Sequence, residues 1–107
     1  MVDESNGASV TGGEAREILM TELAKYRGWS YAQLGAMVEA PTRSFAVTGP
    51  SGKRYYVDVY ARRVATPEGG VRVIGCIDDG GWRAFLPMTA SFIKRSDDSL
   101  TDEGSKS

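Results

Sequence analysis

Few residues in this chain are equipped for covalent or metal chemistry. It holds no His and one Cys, Cys76. A His-based triad and a His-containing zinc site are excluded, and one thiolate builds no metal cage. A single Cys has no partner for an intramolecular disulfide, which points to a reducing compartment. Cys76 has no His in the chain to act as a base, so it reads as a small, half-buried apolar residue rather than a nucleophile. Asp58, Asp78 and Asp79 are the one acidic cluster in the body of the chain, and such a set can hold a hard cation or transfer protons. Without backbone carbonyls or water, three carboxylates fall short of a full oxygen shell. Asp78-Asp79-Gly80-Gly81 is also what turn geometry alone selects. Asp58 is better explained as the partner of Arg72 or Arg83 on a neighbouring strand.

Two stretches imitate functional motifs. Gly49-Pro50-Ser51-Gly52-Lys53 looks like part of a phosphate-binding loop, which needs four residues between its glycines, a hydroxyl residue after the lysine and a following helix. Here two residues separate Gly49 from Gly52, and Arg54 follows Lys53. A hairpin turn is the expected structure. Leu23 to Phe45 imitates a helix-turn-helix, with Tyr31-Ala32-Gln33-Leu34 starting the second helix and Pro41-Thr42-Arg43-Ser44 opening a recognition helix. Phe45 and Val47 then alternate as in a strand, and the glycine turn arrives too early for a helix that must lie in a DNA groove.

The elements that must position these residues follow from hydrophobic period. Residues 14–27 carry Ala15, Ile18, Leu19, Leu23 and Tyr26 at three-and-four spacing, interrupted by Glu22, which predicts an amphipathic helix. Glu14 and Glu17 at its start and Lys25 and Arg27 at its end suit the helix dipole, and Gly28 stops it. Ser30 is expected to cap a second helix, Tyr31 to Val38, which Pro41 ends. From Arg43 the period becomes two, predicting strands at Ser44–Thr48, Arg54–Val64, Val71–Asp78 and Trp82–Leu86. The joins are short, so successive strands are antiparallel, and Asp79-Gly80 suits a tight hairpin. The expected fold class is α+β: two N-terminal helices packed on one face of a four-stranded antiparallel meander.

Alternation also sorts the faces. Tyr55, Val57, Val59 and Ala61 share one face with Val71, Val73, Gly75 and Ile77 and with Trp82, Ala84 and Leu86. The hairpin register places Ile77 opposite Trp82, Gly75 opposite Ala84 and Val73 opposite Leu86, so this apolar face receives the helices. Small Gly75 leaves room for a helix side chain. Trp29 and Trp82 are expected in the core, and Phe92 and Ile93 are expected to fold back over its edge. The opposite face carries Arg54, Tyr56, Asp58, Tyr60, Arg62, Arg72, Ile74, Cys76, Asp78, Arg83 and Phe85, half aromatic and half charged.

Residues 1–13 and 96–107 are rich in Ser, Gly and acidic side chains and contribute −2 and −3, whereas residues 14–95 hold 12 basic and 8 acidic side chains. The two ends are expected to be disordered tails around a single domain at 14–95, because they offer little apolar surface to bury. No stretch approaches the roughly 18–20 apolar residues of a membrane span, and the first residues lack the basic start and apolar run of a signal peptide. A cytoplasmic location away from membranes is expected.

The run Ser51-Gly52-Lys53-Arg54-Tyr55, followed by Val71 to Phe85 with its Ile77-Asp78-Asp79-Gly80-Gly81-Trp82-Arg83-Ala84-Phe85 core and by Phe92-Ile93, resembles a small bacterial family of uncharacterised proteins. Taken with Tyr31-Ala32-Gln33-Leu34, the resemblance covers roughly residues 30–93 and implies a free-standing αβ domain, with no activity or ligand attached. The residues themselves point to a non-catalytic protein-interaction module, with no cofactor and no metal. Its candidate binding face is Tyr56, Asp58, Tyr60, Arg62, Arg72, Arg83 and Phe85, and a protein partner or a second copy is its expected occupant. Single-stranded nucleic acid on the same face is the alternative, bases stacking on the aromatics and arginines tracking phosphate. A metal-dependent enzyme built on Asp58, Asp78 and Asp79 ranks last.

Overall fold

Two periodicities divide the chain, three-and-four as far as Val38 and two from Arg43 onward, and the computed structural model follows that division. It describes residues 3–65, 69–79 and 88–106, with side chains from Gly13 to Glu103. Helix α1 (Asp3–Arg27) carries Lys25 and Arg27 in its last turn, and helix α2 (Tyr31–Val38) follows directly. The strands are β1 (Arg43–Thr48), β2 (Arg54–Arg63), β3 (Val71–Asp78), β4 (Met88–Lys94) and β5 (Leu100–Lys106). The sheet is antiparallel throughout, in the order β1-β2-β3-β4-β5. The class is therefore α+β, with two helices and five strands among the described residues, against four strands expected from the alternation.

Several expectations are met residue for residue. Ser30 caps α2 by accepting from the Gln33 amide, and the Gln33 side chain accepts from the Ser30 amide, a reciprocal capping box. Between β1 and β2, the Gly49 amide donates to the Lys53 carbonyl at 2.8 Å and the Gly52 amide to the Gly49 carbonyl at 2.9 Å. Gly52 sits at φ +89, so Gly49–Lys53 is a hairpin turn leading into a strand rather than a phosphate loop. After α2 the chain enters β1, so no recognition helix forms.

Tyr55, Val57, Val59 and Ala61 of β2 and Val71, Val73 and Ile77 of β3 are buried, with Ala15, Leu19, Leu23, Tyr26, Leu34 and Met37 packed on them from the helices. The strand residues between them are exposed or half-buried, which is what period-two alternation requires of a sheet covered on one side. A Cβ built on Gly75 would lie 2.8 Å from Leu19 Cδ1 and 3.1 Å from Leu23 Cδ2, so the missing side chain is the space α1 occupies. Trp29 packs against this core edge-on to Tyr26, at a ring separation of 4.9 Å.

The departures lie at the two ends of the elements. Helix α1 begins at Asp3, well before Glu14, within the segment expected to be an unstructured tail. Glu14 and Glu17 therefore lie inside the helix and not in its first turn. The strand paired with β3 is Met88–Lys94, so Ile77 faces Met88, Gly75 faces Ala90 and Val73 faces Phe92. The expected strand Trp82–Leu86 and the inward Trp82 lie outside the described residues. Phe92 is not a lid but a core residue of β4. Beyond Lys94, where an acidic tail was expected, β5 pairs with β4. Its acidic residues are held by basic ones already in place: Asp102 pairs with Arg27 and Glu103 with Arg72.

Candidate functional site

The outer face of the sheet is built by the residues of β2 and β3 that alternate with the core. Tyr56, Asp58, Tyr60 and Arg62 point away from the helices on β2, and Arg72, Ile74, Cys76 and Asp78 do so on β3. The register sets Tyr56 against Asp78, Asp58 against Cys76, Tyr60 against Ile74 and Arg62 against Arg72. On the β1 side their neighbours are Ser44, Ala46 and Thr48, too small to overhang them. Tyr56 is 46% exposed, Asp58 and Arg62 are exposed, and Tyr60, Ile74 and Cys76 are half-buried. Both helices pack on the other side, and among the described residues no element lies over this face.

Two guanidiniums directly opposite each other repel, and the structure separates Arg62 from Arg72 by giving each its own partner. Arg62 lies over the Tyr60 ring at 5.3 Å. Arg72 turns the other way and donates from Nε and Nη2 to the two carboxylate oxygens of Glu103, at 2.9 and 3.0 Å. Ser91 Oγ donates to the same carboxylate. The expected pairing of Asp58 with Arg72 is thus replaced by one with β5, a strand the alternation had not revealed. Among the described residues this face carries Arg54, Arg62 and Arg72 against Asp58, Asp78 and Glu103, a balance of charge. Arg83 and Phe85, the remaining candidates for it, lie outside the described residues.

The three aspartates do not converge. Asp58 and Asp78 belong to the outer face, whereas Asp79 is almost buried and accepts from Lys53 Nζ at 3.1 Å. Among the described residues no group of three or more Asp, Glu or Cys side chains is placed to hold a metal ion. The Cys76 thiol is pushed above the usual cysteine range, first by burial and then by the Asp58 and Asp78 charges. These environments disfavour a thiolate nucleophile.

Glu14 has a role that the helix-dipole reading did not foresee. Its carboxylate accepts from the Ser51 amide at 2.8 Å, from Ser51 Oγ at 2.7 Å and from Tyr55 Oη at 2.8 Å. These bonds to Ser51 and Tyr55, with the Lys53 charge nearby, hold its carboxyl below the usual glutamate range. Gly49 is where the carboxylate and backbone meet, since a Cβ there would fall 2.6 Å from Glu14 Oε2. The clamp ties the β1–β2 turn to α1 and fixes how far the helix stands from β1. Between them lies an open groove of about 370 Å³, floored by Ile18, Phe45, Val47 and Pro50 and rimmed by glutamates of α1. Sequence could have signalled it only through Phe45 and Val47, apolar residues on a strand with no covering element assigned.

Compared with protein-family models, curated proteins and solved structures, the chain has no match. Among the described residues no helix is long and apolar enough to cross a membrane.

Proposed function

We propose that the protein is a non-catalytic interaction module whose outer sheet face docks a protein, most simply a second copy of itself. The observation that carries this reading is the row of Tyr56, Tyr60 and Ile74, which no described element covers, between balanced charges. Tyrosine and arginine supply broad contact area with hydrogen-bonding tips, and both are enriched in interface hot spots. Its described residues hold equal numbers of arginines and carboxylates, so the face can also meet its own copy about a twofold axis, each Arg opposite an acidic residue of the other protomer. The same balance counts against nucleic acid, because a phosphate backbone rewards net positive charge and Arg72 is already committed to Glu103.

Light scattering across a concentration series tests it. The wild type is expected to dimerise, and a Tyr56→Glu, Tyr60→Glu double variant, which buries carboxylates in the contact, is expected to remain monomeric while keeping its circular dichroism. A wild type that stays monomeric at several hundred micromolar sinks the self-association reading. Binding of mixed-sequence oligonucleotides that weakens steeply with salt would replace it with the nucleic-acid one.

A further inference from the structure

The last strand is held to the sheet by charge, where β2, β3 and β4 are held by burial. Leu100, Thr101, Asp102 and Glu103 of β5 are all exposed, and no described residue of this strand belongs to the buried core. Its ladder with β4 also shifts register between Ala90 and Phe92, as at a bulged edge. Backbone bonds on one side alone barely offset the entropy of ordering a strand, so its side chains decide whether it stays. Two of them grip from opposite faces. Asp102 stands opposite Phe92 on the helix face, where its two carboxylate oxygens accept from Nη1 and Nη2 of Arg27. The same guanidinium lies over the Phe92 ring at 5.7 Å. On the outer face, Glu103 accepts from Arg72 Nε and Nη2 and from Ser91 Oγ. Both pairs are forked, the geometry in which an exposed ion pair contributes most, and both are open to screening by salt.

The hairpin that leads into β5 also reaches the joint between the two helices. Its turn is closed by the Asp98 amide donating to the Arg95 carbonyl at 2.8 Å and the Arg95 amide donating to the Ser99 carbonyl at 2.9 Å. Asp98 stands there at φ +69, and its carboxylate accepts from the Tyr31 amide, at the start of α2, at 2.8 Å. Arg27, which Asp102 holds, is the last residue of α1. The β4–β5 hairpin thus grips the end of one helix and the start of the next, with Gly28, Trp29 and Ser30 between them. We propose that β5 is a charge-latched strap: screening its two ion pairs releases β5 with its turn and frees the start of α2, while the rest of the sheet stays folded. The remainder holds because its core is supplied by β2, β3, β4 and the helices. Segments with few buried apolar contacts open well below the free energy of global unfolding. Lys94 is buried on β4 with Nζ on the Arg27 carbonyl at 2.8 Å, so the end of α1 stays capped when the strap leaves. Without Asp98, the first turn of α2 loses a carboxylate that complements its dipole.

Amide hydrogen exchange of the full chain, followed by NMR, tests the latch at about 0.01 M and about 1 M NaCl, between which the screening length falls from about 30 Å to about 3 Å. Protection is scaled to unstructured peptides in the same salt. In the wild type the β5 amides should lose protection about tenfold between the two conditions, and the Tyr31 amide should follow them. The β3 amides should keep their protection or gain some. Asp102→Asn combined with Glu103→Gln removes both charges and keeps the side-chain shapes. That double variant should retain its helical circular dichroism, begin about tenfold less protected in β5 at low salt, and lose the salt dependence. The pattern should be the same over about a tenfold range of protein concentration, and one that varies belongs to dimerisation and overturns the proposal. So would β5 protection that salt does not lower, or a double variant as salt-sensitive as the wild type. Exchange of β5 only together with β3, or a Tyr31 amide still protected after β5 has opened, would overturn it equally.

Discussion

Gly75 is the point where the packing of α1 on the sheet can be tested by adding a single carbon. A Cβ at this position would meet Leu19 Cδ1 at 2.8 Å, Leu23 Cδ2 at 3.1 Å and Leu23 Cγ at 3.3 Å, all inside the roughly 3.5–4.0 Å of an ordinary carbon contact. Leu19 and Leu23 are themselves buried, so neither has open space to swing into. Overpacking of this kind costs about 1–3 kcal/mol, while replacing a strand glycine by alanine returns about 0.5–1 kcal/mol of backbone entropy. Gly75→Ala is therefore expected to destabilise by about 1 kcal/mol. Gly75→Val, with two further carbons aimed at the same leucines, should lose about 3 kcal/mol. Leu19→Ala alone should cost about 2–5 kcal/mol through the cavity it opens. In the Gly75→Ala, Leu19→Ala double variant the shortest contact is gone and only the closer-than-ordinary approaches to Leu23 remain, so its loss should fall short of the two single losses added together by about 1 kcal/mol or more. Urea denaturation at constant m-value measures all four proteins. The reasoning fails if Gly75→Ala raises the midpoint, or if the two substitutions add within about 0.5 kcal/mol.

Lys94 is buried, and its Nζ donates at 2.8 Å to the Arg27 carbonyl at the end of α1; Lys94→Met should keep the stem packing yet lose about 1–3 kcal/mol in denaturation, and an unchanged midpoint would deny the cap. Tyr55 is pushed up to about 12 by burial first and then by its bond to Glu14, whereas the unfolded phenol titrates near 10; stability from this group is complete below pH 10 and disappears as pH rises toward 12. A denaturation series over that interval should show the loss in wild type and a smaller one in Tyr55→Phe; identical alkaline profiles would refute it. Deleting residues 97–107 removes β5 with its Arg27–Asp102 and Arg72–Glu103 pairs and should cost on the order of 2–4 kcal/mol. A midpoint that does not move would mean the strand contributes nothing.

What the sequence determined by itself is local in origin. The α2 helix is legible because its cap, Ser30 with Gln33, and its stop lie within a few residues of it. The limits of β2 and β3 and the division of their side chains into a buried and an open face follow from alternation, and the outer-face residues from Tyr56 to Arg62 are legible for the same reason. The Gly49–Gly52 turn is written in its glycines. Alternation fixes parity but not partner: moving β3's mate from Trp82–Leu86 to Met88–Lys94 is an even shift, so every inward residue stays inward and the pattern is equally satisfied. A longer connection costs little extra closure entropy, so the Asp79-Gly80 turn signal does not decide the pairing, and burial of Phe92 and Ala90 in the core favours the later strand. Strand β5 has almost no apolar signal of its own. It is ordered by the edge of β4 and by arginines 75 and 31 residues away, contacts that no window of sequence contains. The groove exists only because α1 crosses β3 and β4 and stops short of β1. Its outline is set by Gly75 below the helix and by Glu14 at the turn, residues whose roles depend on what the fold brings against them.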